Sequence, residues 1–380
     1  MDTKNINPVL QKIATGPHLS KNLSEEEAYA AMQSILRGEV HDVQSAIFFI
    51  ALRMKRETAD ELIGVFRAIL DDAPSKNVRV PALVTLADQY AGYARGLPAS
   101  PFVPAVLSAL GVPSVTHSPS KMSPKYGLTP LSVLKAAGIA PHGTLDSAVS
   151  TLENNAGWVS LDQSVVTPTL TGLNALRDLM VKRPCLSTIE CCVQPFRAEQ
   201  NNTLVTGYVH KAYPPIYAMC AQVAKFDNAV FVRGVEGGVI PSLAQVSRYF
   251  PWQPDKQSNA GPVIPFDDIS LNEVPIEPAN LGLSHTERTV PWPEIDTSDH
   301  TSAAKLCADM GMKALQGEEG LMRDAIRLGA AVAYTAHEQA CHTNGSTPDA
   351  KHSLHSALES VDAVLSTGEA WSRFNEQRTL

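Results

Sequence analysis

Five short segments of this 380-residue sequence carry groups that handle anions. The first is Arg233-Gly-Val-Glu-Gly-Gly-Val-Ile240, which follows the apolar stretch Asn228-Ala-Val-Phe-Val232. A glycine-rich turn after a strand lets backbone N–H groups approach an anion, so Arg233, Gly234, Glu236 and Gly237 are candidate contacts. Such a turn often carries acids for a metal. Magnesium needs oxygen ligands, and Val239 and Ile240 offer none. The second segment, Thr116–Gly127, holds His117, Ser118, Lys121, Ser123, Lys125 and Gly127; hydroxyls with lysine charge suit phosphate oxygens, and a plain surface loop is the competing reading. In the third, Asp88–Arg95, Gly92 and Arg95 favour an anion, while Asp88 repels it; Ser100, just beyond, can donate to phosphate. Arg177 and Arg183 form the fourth. A guanidinium fork suits a carboxylate or a phosphate equally, or pairs with a carboxylate of its own helix. His210 and Lys211 close the set after a strand-like Leu204–His210.

The elements that position these groups follow from periodicity. Ser24-Glu-Glu-Glu27 is a capping box, and Ala28, Ala31, Met32, Ile35 and Leu36 recur at helical spacing after it. Residues 43–53 and 58–70 continue the pattern, so the chain opens as a small helical bundle. From about residue 78 the texture changes. Strands are predicted at 78–86, 113–117, 204–210 and 228–232, with helices at 101–110, 131–137 and 215–224. Alternating strands and helices imply an α/β domain with a mainly parallel central sheet. Residues 251–296, rich in Pro, Asp and Glu, read as an irregular excursion. Helices return at 301–316, 320–340 and 350–366. The expected organisation is a helical N-terminal domain over 1–77, with a further helical contribution from about 168–192, and an α/β domain over 78–380.

The net charge of −8 argues against a polyanion partner, but its distribution does not. Between Arg79 and Arg248 there are 13 Lys+Arg and 9 Asp+Glu, a net of +4, which leaves −12 for the rest. A basic middle in an acidic chain can form a local positive groove. The six cysteines contain no CxxC pair, and in a chain of this size they read as reduced, buried thiols. His337 and Cys341 stand one helical turn apart, too few ligands for a metal site. No apolar run is long enough to span a bilayer and the first residues lack a signal pattern, so the expected location is cytoplasmic.

Leu23-Ser-Glu-Glu-Glu-Ala28, the Arg37-Gly-Glu39 turn, Gln44, Ala51–Met54 and Glu61–Gly64 resemble the helical domain of anthranilate phosphoribosyltransferase, of glycosyltransferase family 3. The resemblance runs over most of the chain, through Ser353–Glu359 and Thr367–Ala370. It implies the family's fold and a homodimer formed through the helical domain. It also implies where the family's chemistry would lie. The GTGGD loop that grips phosphoribosyl pyrophosphate (PRPP) falls on Asp88–Gly92, with one glycine kept. The NxST segment falls on Pro98–Pro101. The loop beginning KHG falls on Thr116–Gly127, with His117, Ser123, Lys125 and Gly127 matching. Arg177 falls at the arginine that contacts the anthranilate carboxylate. The HGxDGxDE motif falls on Arg233–Ile240, its magnesium acids replaced by Val239 and Ile240.

These departures resemble a divergent branch of the family that lacks the enzyme's activity and is described as binding nucleic acid along a basic groove. Tyr90, Tyr93, Arg95, His210, Lys211 and Tyr213 interleave aromatics with positive charge, which suits stacked bases and phosphates of a single strand; the same mixture also occurs in any partly buried cleft between domains. The leading expectation is a family member with degenerate PRPP and magnesium motifs, no cofactor, and a single-stranded nucleic acid or phosphate-containing small molecule as ligand. The alternative is an active transferase that moves phosphoribose from PRPP to anthranilate, in tryptophan biosynthesis, or to another acceptor; magnesium belongs only to that reading. A third is a protein–protein module without small-molecule chemistry.

Overall fold

The computed structural model describes residues 6–16, 18–154, 157–254, 262–292, 300–342 and 354–379. Four helices come first: α1 (Asn7–Ile13), α2 (Glu25–Leu36), α3 (Asp42–Lys55) and α4 (Ala59–Asp72). Ser24 caps α2 and Thr58 caps α4, each through a full capping box, with Glu27 and Glu61 reaching back to the cap N–H. Glu61 does more than cap. Its buried carboxylate also accepts from the Leu23 N–H at 2.8 Å and pairs with Lys55 Nζ at 2.7 Å, tying the starts of α2 and α4 to the end of α3.

The sheet contains β1 (Ala82–Ala87), β2 (Ser114–Ser118), β3 (Trp158–Asp162), β4 (Asn201–Gly207), β5 (Asn228–Val232), β6 (Ser247–Trp252) and β7 (Val274–Ile276). Its order is β7-β6-β5-β4-β1-β2-β3. The five strands from β5 to β3 are parallel, while β6 runs antiparallel to both neighbours. Alternate residues divide between two cores. Leu83, Ala87, Leu204 and Phe231 face the core shared with the N-terminal helices and helix Tyr213–Val223. Val84, Leu86, Val205, Val230 and Val232 face the core built with Val103–Ala109 and the C-terminal helices His300–Leu315, Leu321–His342, Leu354–Ser366 and Glu369–Gln377. Continuous apolar strands are what a parallel sheet covered on both faces requires.

The expected helices and strands largely recur, with informative shifts. The first strand begins at Ala82, not Val78: Pro81 carries no N–H for the ladder, and residues 76–77 pair instead with 196–197. Helix 145–153 and strand 158–162, absent from the sequence reading, complete one edge of the parallel sheet. Of the 251–296 excursion, the described part supplies β7 and the end of β6, plus short turns. Residues 350–353 of the last expected helix lie outside the described residues. No helix among the described residues is long and apolar enough to cross a membrane.

Candidate ligand cleft

Loops at the carboxyl ends of β1, β4 and β5 gather beside the helical domain around a cleft of about 240 Å³. Its walls include Arg53 from α3, Arg183, His210, Tyr213, Tyr217 and Glu236. Arg53 donates to the Arg183 carbonyl, which joins α3 to the 181–184 turn. His210, Tyr213, Tyr217 and Phe231 form a run of rings spaced 6.0–6.2 Å apart, leading from the cleft mouth into the core.

Glycines of these loops and of the loop after β2 allow backbone to lie on backbone. A Cβ on Gly92 would fall 2.5 Å from the Gly127 carbonyl, and one on Gly127 would fall 2.5 Å from the Tyr93 nitrogen. The expected anion contacts Gly92 and Gly127 therefore press two loops together, a contact fixed by the Tyr93–Leu128 bridge. Likewise a Cβ on Gly207 would collide with the Gly238 carbonyl oxygen, so the β4 and β5 loops also touch. Gly234 is held in the same contact, where a Cβ would meet the same oxygen. Gly237, at φ +86°, lines the cleft.

Three internal carboxylates engage four of the expected anion donors: Ser100, Lys125, Arg177 and the Arg95 amide. Asp88 is buried and accepts from Ser100 Oγ at 2.5 Å, from Tyr93 Oη at 2.9 Å and from the Gln89 N–H at 2.9 Å. Burial raises its pKa, and the bonds from Ser100 and Tyr93 oppose that rise. Glu236 accepts from the N–H groups of Ala94 at 3.1 Å and Arg95 at 2.7 Å, and from Lys125 Nζ at 2.5 Å. Burial lowers the Lys125 pKa; Glu236 opposes it. Arg177, expected at a ligand, is 1% exposed and grips Glu190 with both terminal nitrogens, at 2.5 and 2.8 Å.

Other expected contacts also fall away from the cleft. His117 is buried, with Nδ1 2.6 Å from the Tyr90 hydroxyl and the two rings edge to face. Burial pulls its pKa down to about 4, so it is a neutral core group. Tyr90 is buried with it, whereas Ser118 Oγ accepts from the Leu131 N–H at 3.1 Å and so anchors the following helix. Ser123 is buried in its loop, while Lys121, Arg95, Lys211 and Arg233 are exposed. Of the sequence candidates, Arg183, His210, Tyr213, Glu236 and Gly237 line the cleft. Arg53 and Tyr217 were not among them. Arg53 lies within a stretch that resembles the family's helical domain, but nothing there signals that α3 ends over the β4 loop.

The metal-acid positions are core. Val239 and Ile240 are 2% and 5% exposed, and Ile240 Cδ1 packs on Gly329 of helix Leu321–His342, where a Cβ would collide with it. Among the described residues no three His, Cys, Asp or Glu side chains cluster to hold a metal ion. Cys341 Sγ lies 3.7 Å from His337 Nε2, and none of the six cysteines forms a disulfide.

A parallel sheet with a helical domain over its carboxyl edge, and a cleft between them, defines the phosphoribosyltransferase-type architecture resembled by the sequence. The profile "Glycosyl transferase family, helical bundle domain" matches residues 7–73. An anthranilate phosphoribosyltransferase of Bacillus caldotenax is 34% identical over 229 residues, covering 60% of this chain and 90% of that protein. An uncharacterized protein of Aquifex aeolicus is 29% identical over 221 residues, 58% of this chain and 65% of that one. The crystal structure of anthranilate phosphoribosyltransferase from Thermus thermophilus superposes with a TM-score of 0.70 at 20% identity, covering 100% of this chain and 99% of that one, a likeness of fold. The chain belongs to the anthranilate phosphoribosyltransferase family, within glycosyltransferase family 3.

Proposed function

We propose that this protein binds single-stranded nucleic acid in the cleft between its helical and α/β parts and does not transfer phosphoribose to anthranilate. The observation that carries this reading is the internal occupation of the family's ligand positions. Glu190 engages Arg177, Asp88 engages Ser100, Glu236 engages Lys125 and two loop amides, and Val239 and Ile240 fill apolar core. PRPP chemistry needs a metal to take up charge on the departing pyrophosphate, and neither of these two side chains can hold one. The cationic and aromatic side chains lining the cleft are Arg53, which also donates to the Arg183 carbonyl, Arg183 and the His210–Tyr213 ring pair, with exposed Lys211 next in sequence to His210. Guanidinium groups beside stackable rings suit the phosphates and bases of a single strand. Removing both arginines (R53A/R183A) weakens oligonucleotide binding at least tenfold; unchanged binding would count against the cleft. Anthranilate fluorescence in the presence of PRPP and magnesium stays constant over hours. Its decay at an enzymatic rate would restore the transferase reading.

We also propose that two copies associate through α1 and α3. A groove of about 800 Å³ is lined by Ile13, Ala46, Ile47, Ile50, Met54 and Met180, with Leu179 and Val181 exposed beside it. Contiguous apolar surface of this kind marks an interaction site, and a second copy offers a matching face.

A further inference from the structure

The Glu236 carboxylate has surroundings that suit a ligand better than a side chain. Two consecutive backbone N–H groups, of Ala94 and Arg95, converge on it with the ammonium of Lys125, at 2.7 to 3.1 Å from the amides and 2.5 Å from Nζ. Amides in a turn joined by a lysine form the donor set that phosphoryl oxygens take. Ala94 and Arg95 are exposed, and Glu236 lines the open cleft, so the cradle has an entrance. The residue that fills it sits in an unfavourable backbone conformation, φ +55° and ψ +13°, with its own carbonyl accepting from Gln89 Nε2 at 2.6 Å. A non-glycine residue persists in the left-handed region only where its surroundings hold it there. Here the cradle holds the carboxylate and Gln89 holds the backbone.

We infer that Glu236 is a displaceable internal occupant of an oxyanion site, and that an entering phosphoryl group takes its place on the 94–95 amides and Lys125. The group is either a phosphate of the bound strand or that of a small phosphorylated molecule. The site itself does not depend on the strand; only the first of these sources rests on the nucleic-acid reading above. Displacement swings one side chain out to solvent and exchanges one anion for another, so Lys125 keeps a partner throughout. The electrostatic cost of opening is therefore small compared with leaving a half-buried ammonium unpaired.

Two variants empty the site in different ways. Glu236→Gly removes the carboxylate and suits the positive φ, so the loop retains its shape. Glu236→Gln keeps the bulk and removes the charge. Binding of inorganic pyrophosphate is measured by calorimetry on the full chain at constant ionic strength, with the fold checked by circular dichroism. The expected result is at least tenfold tighter binding by E236G than by wild type, an intermediate gain for E236Q, and loss of the gain in E236G/K125M. Folded E236G and E236Q that bind pyrophosphate no better than wild type would overturn the inference. The same proteins are titrated with a labelled single-stranded oligonucleotide. Tighter oligonucleotide binding by E236G, competed by pyrophosphate, is the expected outcome. A pyrophosphate gain without any oligonucleotide binding overturns the nucleic-acid reading and leaves the oxyanion site standing.

Discussion

Replacing Arg177 by methionine leaves Glu190 charged, 1% exposed and without its partner. Breaking a buried pair from one side costs about 3–5 kcal/mol, and R177M should lose that much in urea denaturation. A loss under about 1 kcal/mol would mean that the pair is not buried in solution. His117 makes a second residue-level prediction. Its folded pKa of about 4 lies below the ordinary value of 6.5. Between those two values the unfolded chain binds the proton and the folded chain does not. Stability is therefore complete above pH 6.5 and falls by about 3 kcal/mol as pH drops towards 4. His117→Gln removes that slope, and wild type and variant measured across the range should converge at low pH. At this scale the sequence was legible for residue type but not for partner. Lysine, serine and arginine were read as contacts for an external anion, yet Glu190, Asp88 and Glu236 engage Arg177, Ser100 and Lys125 from within. A pair such as Arg177–Glu190, thirteen residues apart across two short helices, leaves no periodic trace.

The loops decide what the scaffold does. Restoring acids at the aligned positions (V239D/I240E) does not rebuild a metal site, because both side chains are buried in the core and that of Ile240 packs on Gly329. Burying two unpaired carboxylates there should cost about 3 kcal/mol or more, visible as a lowered Tm with no recovery by magnesium. A variant as stable as wild type that gains stability with magnesium would show the loop to be free to turn outward. Many of the helices and most strands were legible because capping boxes at Ser24 and Thr58 and continuous apolar runs are local signals; helices Asn7–Ile13, Leu145–Glu153 and Glu369–Gln377 were not read. Strand Trp158–Asp162 was missed: its polar Ser160 and Asp162 dilute the apolar run. Gly92, Gly127 and Gly234, which hold backbone against backbone, were read as ligand-facing glycines because a close approach between backbones and a close approach to phosphate demand the same missing side chain.

As a whole, the molecule keeps a family architecture while its own carboxylates engage Ser100, Lys125 and Arg177. The proposed dimer is tested at α3. Ile47→Glu or Met54→Glu places a charge in the apolar groove, and light scattering should report a wild-type dimer and monomeric, folded variants. Dimeric variants would move the interface elsewhere. The central claim is tested most directly by fluorescence anisotropy of a labelled single-stranded oligonucleotide, titrated with the purified protein from about 50 to about 200 mM salt. Binding should weaken with salt, log K falling against log salt with a slope of about −2 if the cleft neutralises three phosphates of a single strand. No binding at the lowest salt, or an affinity indifferent to salt, would contradict it.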